Sequence, residues 1–550
     1  MNKLQLVPLY LGLVFGQTGT LTGLIRDVFT HQPLIGVNVI VSETEIGAAT
    51  DEGGNFRIEN LPVGSYVIHV SMIGYEQVKR ANIHIVPKRN TITNFDLHPQ
   101  VLQGKSVEVT VTYFEKTKDA VTSSRTVDIE EIRSDPIGAY DIMAMMQSLP
   151  SVVSGSDQTN EIIVRGGSPG ENLFIMDFLE IPYPNHYPEQ GKGGGPVTMV
   201  DTEFIERIDF FAGAFPARYG EKLSSVMDVT LRDGNRENHL QQMDLNMAGF
   251  GLTAEGPIAE NSSYIYSLKR SFLDLVISSS GLQAIPKYWS SQGKIVYHIS
   301  PTQKVYVNFI GGIDNITIEG ENNPQLRGAE NVDYSSWQST FGMTYKNLFS
   351  KSGYFISSIG KSWISLNADV YEINSDLERD IYFENKDLEG DLSFRSKIVY
   401  KLKKGIELSG GLSAKSINLD YENWFADRPK NLYGYSLDSA ESPQSISEEV
   451  FYTTYFDNPN TIITEIGSFG ELDTFKTKAV LNYQKYGGFL QINSLPFPNM
   501  EISLGARLDY ISFTDESSLS PRFGMKYHLT PLLKLNLSAG RYFQSPFNIQ

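Results

Sequence analysis

From Gln241 onward, apolar and polar residues alternate with period two over long runs. Val305, Val307 and Phe309 fall on one face and Lys304, Tyr306 and Asn308 on the other. Ile502, Leu504, Ala506, Leu508 and Tyr510 oppose Glu501, Ser503, Gly505, Arg507 and Asp509. Phe523, Met525, Tyr527 and Leu529 oppose Arg522, Gly524, Lys526 and His528, and Leu533, Leu535 and Leu537 oppose Lys534, Asn536 and Ser538. Period two predicts strands. Strands of about ten residues with one apolar and one charged face predict an antiparallel transmembrane β-barrel, lipid outside and water inside. A soluble two-sheet sandwich also alternates, but seldom needs so many long strands in succession. Roughly 13 strands are expected between Gln241 and Gln550 on this template. "SPTQ" at Ser300–Gln303 and "TPL" at Thr530–Leu532 read as tight periplasmic turns, and Asn423 to about Asp473 reads as a long extracellular loop suited to ligand capture.

The N-terminal part is patterned differently. Val37, Val39 and Val41 alternate with Asn38 and Ile40, and Tyr66, Ile68 and Val70 with Val67 and His69; "DEGGNF", "LPVG" and "IGY" punctuate them as turns. This predicts a small β-sandwich over 17–100. Over 101–235 the pattern becomes mixed. "AYDIMAMMQSL" sets Ile142, Met145, Met146 and Leu149 at helical spacing, a packing stripe rather than a metal-binding methionine run, while "IIV", "LFIMD" and "IERIDFF" read as short strands of a mixed sheet. The expected fold is mainly β: sandwich, α+β unit, then barrel over 236–550.

Composition narrows the function classes. The 550 residues exceed one ordinary core. With 46 basic against 64 acidic residues the formal charge is −18, a poor match to nucleic acid, whose phosphates demand Lys and Arg. Cysteine is absent, which removes disulfides, thiol catalysis and thiolate metal sites. Tyr (29) and Phe (30) far outnumber Trp (4), which suits a β-rich fold and the aromatic girdles of an outer-membrane barrel. "MNKLQLVPLYLGLVFGQ" has a Lys3 n-region, an apolar run from Leu4 to Phe15 and small residues Val14 and Gly16 before Gln17, the pattern of a signal peptide over 1–16. No nucleotide loop in a strand–helix setting, Ser/His/Asp set or nucleophile elbow stands out, and His186 has no second histidine nearby to make a metal pair. The chain reads as a non-enzyme with no cofactor and no metal.

Five motifs then occur in order: "LPSV" (Leu149–Val152), "IIVRGG" (Ile162–Gly167), "ENLFIMD" (Glu171–Asp177), "IPYPNHY" (Ile181–Tyr187) and "FAGAFPARYGEKLSSVMDV" (Phe211–Val229). Together they resemble the plug domain of TonB-dependent outer-membrane receptors, a globule that stoppers a transport barrel. "PLIGVNVIV" and its turns are similar to the carboxypeptidase regulatory-like domain, a transthyretin-like sandwich that is not catalytic and here lacks a zinc-binding His-x-x-Glu pair. The family usually has Gly after the Asp of its "iDG" motif. Phe178 follows Asp177 here, so a less tight turn is expected.

The resemblance implies a mechanism and a set of sites. The fold binds a scarce nutrient (iron chelate, cobalamin, oligosaccharide or peptide) at extracellular loops and plug apex, and TonB with its inner-membrane energy complex pulls the plug aside. The pulled segment is matched by "VEVTVT" (Val107, Glu108, Val109, Thr110, Val111, Thr112), which could recruit a partner strand through main-chain hydrogen bonds or be an ordinary strand. Arg165, Gly166, Gly167, Asp177, Arg218, Tyr219 and Gly220 belong to the plug signature, with Glu206, Arg207 and Arg218 read as plug–barrel polar pairs. In the glycine-rich loop Tyr183–Gly195, Asn185, His186, Tyr187 and Glu189 are candidates for substrate contact. Outer-membrane lipid is an implied partner. The approach to the plug carries no "LQGKVAGV"-like run, which weakens the case for a glycan importer capped by a surface lipoprotein, a partner the resemblance leaves open. A non-transporting binding or adhesion protein on the same fold is the alternative. Plugged transporters have about 22 strands, more than the stretch from Gln241 can supply, so the barrel is expected to be partial, with C-terminal strands missing.

Overall fold

The computed structural model describes residues 18–97 (apart from 29–31, 43, 45, 73–74, 76 and 86–89), 124–271 (apart from 138–140, 156–159, 190–194 and 247–248) and 286–545 (apart from 319–330, 351, 374–378, 404, 427–429, 437–443, 447–461, 470–473, 498 and 530–532). The signal-peptide pattern, Val107–Thr112 and "TPL" lie outside the described residues.

The N-terminal unit is two four-stranded sheets. In one, Thr18–Asp27 pairs antiparallel with Asn55–Pro62 and parallel with Asn90–Ile92 and Phe95–Leu97. The other runs Gly47–Ala49, Asn38–Val41, Gly64–Ser71, Val78–Ile85. Alternation aims every second side chain at the space between the sheets. Leu21, Ile25, Val37, Val39, Val41, Ile68 and Val70 are fully buried there, as the period-two reading expects.

The second unit is built on a five-stranded mixed sheet, ordered Leu179–Glu180, Asn172–Met176, Ser225–Leu231, Ile205–Phe211, Ser124–Asp128. Only the Asn172–Met176 and Ser225–Leu231 pair is parallel. The helix Ile142–Met146 starts at Asp141, whose carboxylate accepts hydrogen bonds from the Met143 and Ala144 amides at 2.9 and 3.1 Å, satisfying two otherwise orphan donors. Its Ile142, Met145 and Met146 join Leu149, Val164, Phe174, Ile208 and Val229 in one apolar core.

The third unit is one 13-stranded sheet, from Leu240–Asn246 to Lys534–Gly540, matching the expected number. Neighbours follow chain order, except that Ile406–Ala426 pairs with Thr474–Phe497 across an insertion. Strands reach 25 residues in Arg379–Lys403, well beyond the expected ten. The expected loop from Asn423 is also revised: Asn423 lies within the strand Ile406–Ala426, and the insertion contains a three-stranded sheet of Lys430–Ser436, Gln444–Ile446 and Ile462–Phe469. Burial is inverted relative to a soluble protein. Inward positions such as Gln292, Lys294, Asn308, Asp314, Gln338, Arg507 and Asp509 are buried, while Trp289, Ile295, Phe341, Leu412, Leu490 and Leu508 are exposed on the other face. That is the arrangement for lipid outside and a polar interior. Among the described residues the two edge strands do not pair with each other.

Candidate functional site

The α+β unit meets the inner face of the large sheet, and side chains from strand after strand reach it. The Asp177–Phe178 turn makes the first group of these contacts. Ile175 pairs with Glu180 and Met176 with Leu179, leaving a two-residue loop with φ of 48° at Asp177 and 73° at Phe178. Left-handed values at both positions mark the tight hairpin turn that usually selects Asn-Gly or Asp-Gly. The expectation of a looser turn is therefore corrected. Phe178 adopts the glycine conformation because the surroundings dictate it. Thr344 donates to the Asp177 carbonyl (3.3 Å), Ser358 donates to the Phe178 carbonyl (3.0 Å), and the Arg395 guanidinium lies 5.3 Å from the Phe178 ring centroid.

The Asp177 carboxylate is clamped as well. It accepts from the Leu231 amide at 3.0 Å and meets Lys294 Nζ at 2.8 Å. Lys294, itself buried, also reaches Asp233 at 3.1 Å, and Asp233 meets Lys304 at 2.7 Å. Burial works against the ionised Asp233, but Lys294 and Lys304 override it and hold the carboxyl down at about 2. Nearby, Glu180 meets Lys415 at 2.7 Å. Burial alone would raise its carboxyl; the charge and hydrogen bond of Lys415, with Arg395 beyond, hold it at about 2.

A second group of contacts gathers on Asp314. His186 Nδ1 lies 2.5 Å from Asp314 Oδ1, the Tyr187 amide donates to Oδ2 at 3.0 Å, and Ser336 donates to Oδ2 at 2.8 Å. Gln338 donates to the Asn185 carbonyl at 2.6 Å, and the His186 ring lies 4.2 Å from that of Tyr288. Asn185 and His186 have no exposed surface and Tyr187 has 9%. All three contact the wall, His186 and Tyr187 through Asp314 and Asn185 through Gln338. Glu189 alone of the four candidates is exposed.

The "FPARYGE" segment makes the third group. Arg522 donates to the Phe215 and Pro216 carbonyls at 3.0 and 2.5 Å, Gln491 accepts from the Ala217 amide at 2.9 Å, and Arg507 donates to the Arg218 carbonyl at 3.5 Å. A Cβ on Gly220 would stand 2.0 Å from Arg507 Nε, so glycine is needed for this approach. Within the unit the Arg218 guanidinium covers the Tyr219 ring at 4.6 Å, and Tyr219 donates to Asp228 at 2.5 Å. Glu221 meets Lys485 at 2.9 Å. Arg207 pairs with Asp209 of its own sheet at 3.3 Å.

Arg165, at φ 52°, and Gly166, at φ 80°, are exposed; the Arg165 amide donates to the Ser151 carbonyl at 3.0 Å, and Gly167 packs on Ser224. This is local shaping of the unit. Sequence reasoning missed the wall residues Lys294, Asp314, Gln338, Lys415, Gln491 and Arg522. Their signal was a charged or amide side chain recurring at the inward register of otherwise apolar strands. Among the described residues, no group of three His, Asp or Glu side chains is placed to hold a metal ion.

Comparison with known proteins agrees with this architecture. Residues 21–109 match the CarboxypepD_reg-like domain, 116–225 the TonB-dependent receptor plug domain, and 302–550 the TonB-dependent receptor-like β-barrel. The TonB-dependent transporter Oar of Myxococcus xanthus is 25% identical over 242 residues, and the TonB-dependent receptor SusC of Bacteroides thetaiotaomicron is 26% identical over 234. Those matches span 42% and 40% of this chain and 22% of each relative, about a fifth of the relatives' length. The siderophore receptor PirA of Acinetobacter baumannii superposes with a TM-score of 0.52 at 15% identity, covering 77% of this chain and 61% of PirA. The outer-membrane transporter YddB of Escherichia coli gives 0.53 at 13%, covering 79% and 64%. At these identities the structural likeness speaks for the fold, and the fold and family imply an outer-membrane protein. With sandwich, plug and barrel models matching in that order along its length, the chain belongs to the TonB-dependent receptors.

Proposed function

We propose that the protein imports a scarce nutrient across the outer membrane, with the plug as a gate that TonB opens from the periplasm. The observation that carries this reading is the nature of the seam. The plug keeps an apolar core of its own, to which the barrel adds Ile265 and Ile310; a smaller apolar contact sets Tyr183 against Ile364 and Leu366, and among the described residues many of the remaining plug–wall contacts are hydrogen bonds and ion pairs. Polar contacts of this kind exchange with water at a net cost of about 1 kcal/mol each. A plug so held can leave the wall while remaining folded. Val107–Thr112, ahead of the plug, is the proposed strand-forming handle for TonB, and Glu189 with the insertion between Ala426 and Thr474 is the proposed outer surface for ligand capture.

The test is energised uptake by cells carrying the full protein. Candidate nutrients are scored for accumulation that requires TonB, and the screen is repeated with Val107–Thr112 deleted. Accumulation abolished by the deletion is the expected result. Uptake that proceeds unchanged without that segment, or without TonB, refutes the gating mechanism.

A further inference from the structure

Between plug residues 169–184 and 218–222 and the barrel strands Arg379–Lys403, Ile406–Ala426 and Thr474–Phe497 lies a cavity of about 220 Å³. Much of its charged lining is neutralised internally. Glu180 and Asp391 share Lys415 at 2.7 and 3.6 Å, Glu221 meets Lys485 at 2.9 Å, and Arg507 meets Asp509 at 2.6 Å. Besides Arg218, which covers the Tyr219 ring, two lining cations remain outside these pairs. Lys222 donates to the Gly170 carbonyl at 2.6 Å, and among the described residues no carboxylate ion-pairs with it. Arg395 lies against the Phe178 ring, and its buried Nη1 has no hydrogen-bond partner.

The surplus continues past the turn. Two residues along the strand from Arg395, on the same face, is Lys397. Its ammonium lies 5.3 Å from the Tyr354 ring, and Lys346 lies 5.7 Å from the same ring. Neither lysine has an ion-paired carboxylate among the described residues. Both line the space on the far side of the Asp177–Phe178 turn, together with Phe178 itself. Lys222, Arg395 and Lys397 are half-buried and Lys346 is exposed; unpaired cations partly withdrawn from water are costly, and a wall that keeps several in one place has unmet affinity for negative charge. Burial lowers the Lys222 ammonium to about 8; Glu180 and Glu221 offset this in part while Lys415 and Lys485 add to it, and an arriving anion would relieve what remains.

We propose that this wall is an anion path. A carboxylate or phosphate group of the substrate sits between Lys222 and Arg395, and withdrawal of the Asp177–Phe178 turn passes it on to Lys397 and Lys346. The inference rests on the transport reading and adds to it the chemical class of the cargo.

The test uses the full chain folded in detergent with its lysines reductively ¹³C-methylated. The Lys222 resonance is identified by its loss in Lys222→Arg. Inorganic phosphate and benzoate are titrated in turn at constant ionic strength, with sodium chloride as the reference. The expected result is a saturable shift of the Lys222 signal, weakened about tenfold or more in Arg395→Gln, as loss of a charge-assisted hydrogen bond requires, and kept in Arg395→Lys. A response to phosphate alone assigns the site to a free ion; a response to benzoate as well assigns it to the charged end of a larger ligand. A signal that neither probe moves beyond the chloride reference overturns the proposal, and so does equal affinity in Arg395→Gln. The titration is read on the wild type, and Lys222→Gln gives the same assignment should Lys222→Arg misfold, so one failed substitution leaves the proposal testable. Binding is read on resting protein without TonB. Its failure therefore leaves the uptake reading standing, and TonB-independent uptake would sink that reading without touching this one.

Discussion

Replacing Phe178 separates backbone strain from ring contact. Its φ of 73° places a bulky side chain where glycine is favoured, and Asp177 before it sits at 48°. For a residue with a Cβ this region costs roughly 1–2 kcal/mol. Phe178→Ala keeps that cost and removes the ring facing Arg395, a contact worth roughly 0.5–2 kcal/mol. Phe178→Gly removes the ring and the strain together. Glycine normally loses to alanine by roughly 0.5–1 kcal/mol because its unfolded chain is freer. Subtracting that entropy from the strain leaves glycine ahead by up to about 1.5 kcal/mol, the reverse of the usual order. For a unit of plug size this is about 3–6 °C in melting temperature. The assay is calorimetry of the folded full chain in detergent, following the plug transition in both variants. An alanine variant that melts level with the glycine variant, or above it, refutes the strain argument.

Two further outcomes follow from the Lys294 cluster and the low-titrating carboxylates. Lys294→Met leaves the buried Asp177 carboxylate without its lysine, while the partly exposed Asp233 keeps Lys304, and should destabilise the docked plug by about 3–5 kcal/mol. Adding Asp177→Asn should restore part of that loss, and calorimetry of the single and double variants checks both. The pH dependence has a definite sign. Asp233 and Glu180 are held at about 2, below their ordinary values of 3.8 and 4.5. Groups depressed on folding contribute stability that is complete above the unfolded values and lost as pH falls through the folded ones. The melting temperature should therefore drop between about pH 4.5 and 2, and Asp233→Asn should flatten that drop.

The architecture was legible because period-two alternation is local, whereas the seam depends on distant pairings. Leu504, Leu508, Arg507 and Asp509 announce their faces from their neighbours alone, and the structure puts both leucines outside and both charges inside. Strand ends were less legible. In Arg379–Lys403 the pairing continues well past a membrane's thickness, because backbone hydrogen bonds do not require an apolar outer face. The wall contacts of the candidate loop were hidden for a different reason. His186 in a glycine-rich loop looks free to meet a ligand until Asp314, 128 residues later, is seen to face it. Phe178 likewise argues for a loose turn until Thr344 and Ser358 are seen to clamp the carbonyls on either side of it.

On the proposed transport reading, the same long-range pairing would let one plug be both secure and removable. Apart from the buried Lys294 clamp, no single contact at the seam is strong by itself. Partly exposed pairs such as Glu180–Lys415 and Glu221–Lys485 contribute about 1 kcal/mol or less apiece, and the hydrogen bonds to Asn185, Ala217 and Phe178 about 1 kcal/mol each. All must break together for spontaneous escape, because the plug is one folded body with a continuous core. A force applied at one end meets them in succession. The segment Asp177–Asp233 would then be the last clamp to yield, since Lys294 ties both of its ends to the wall and is the most deeply buried cation at the seam. The gate would open beside Arg395 and Lys397, where the wall is already short of negative charge.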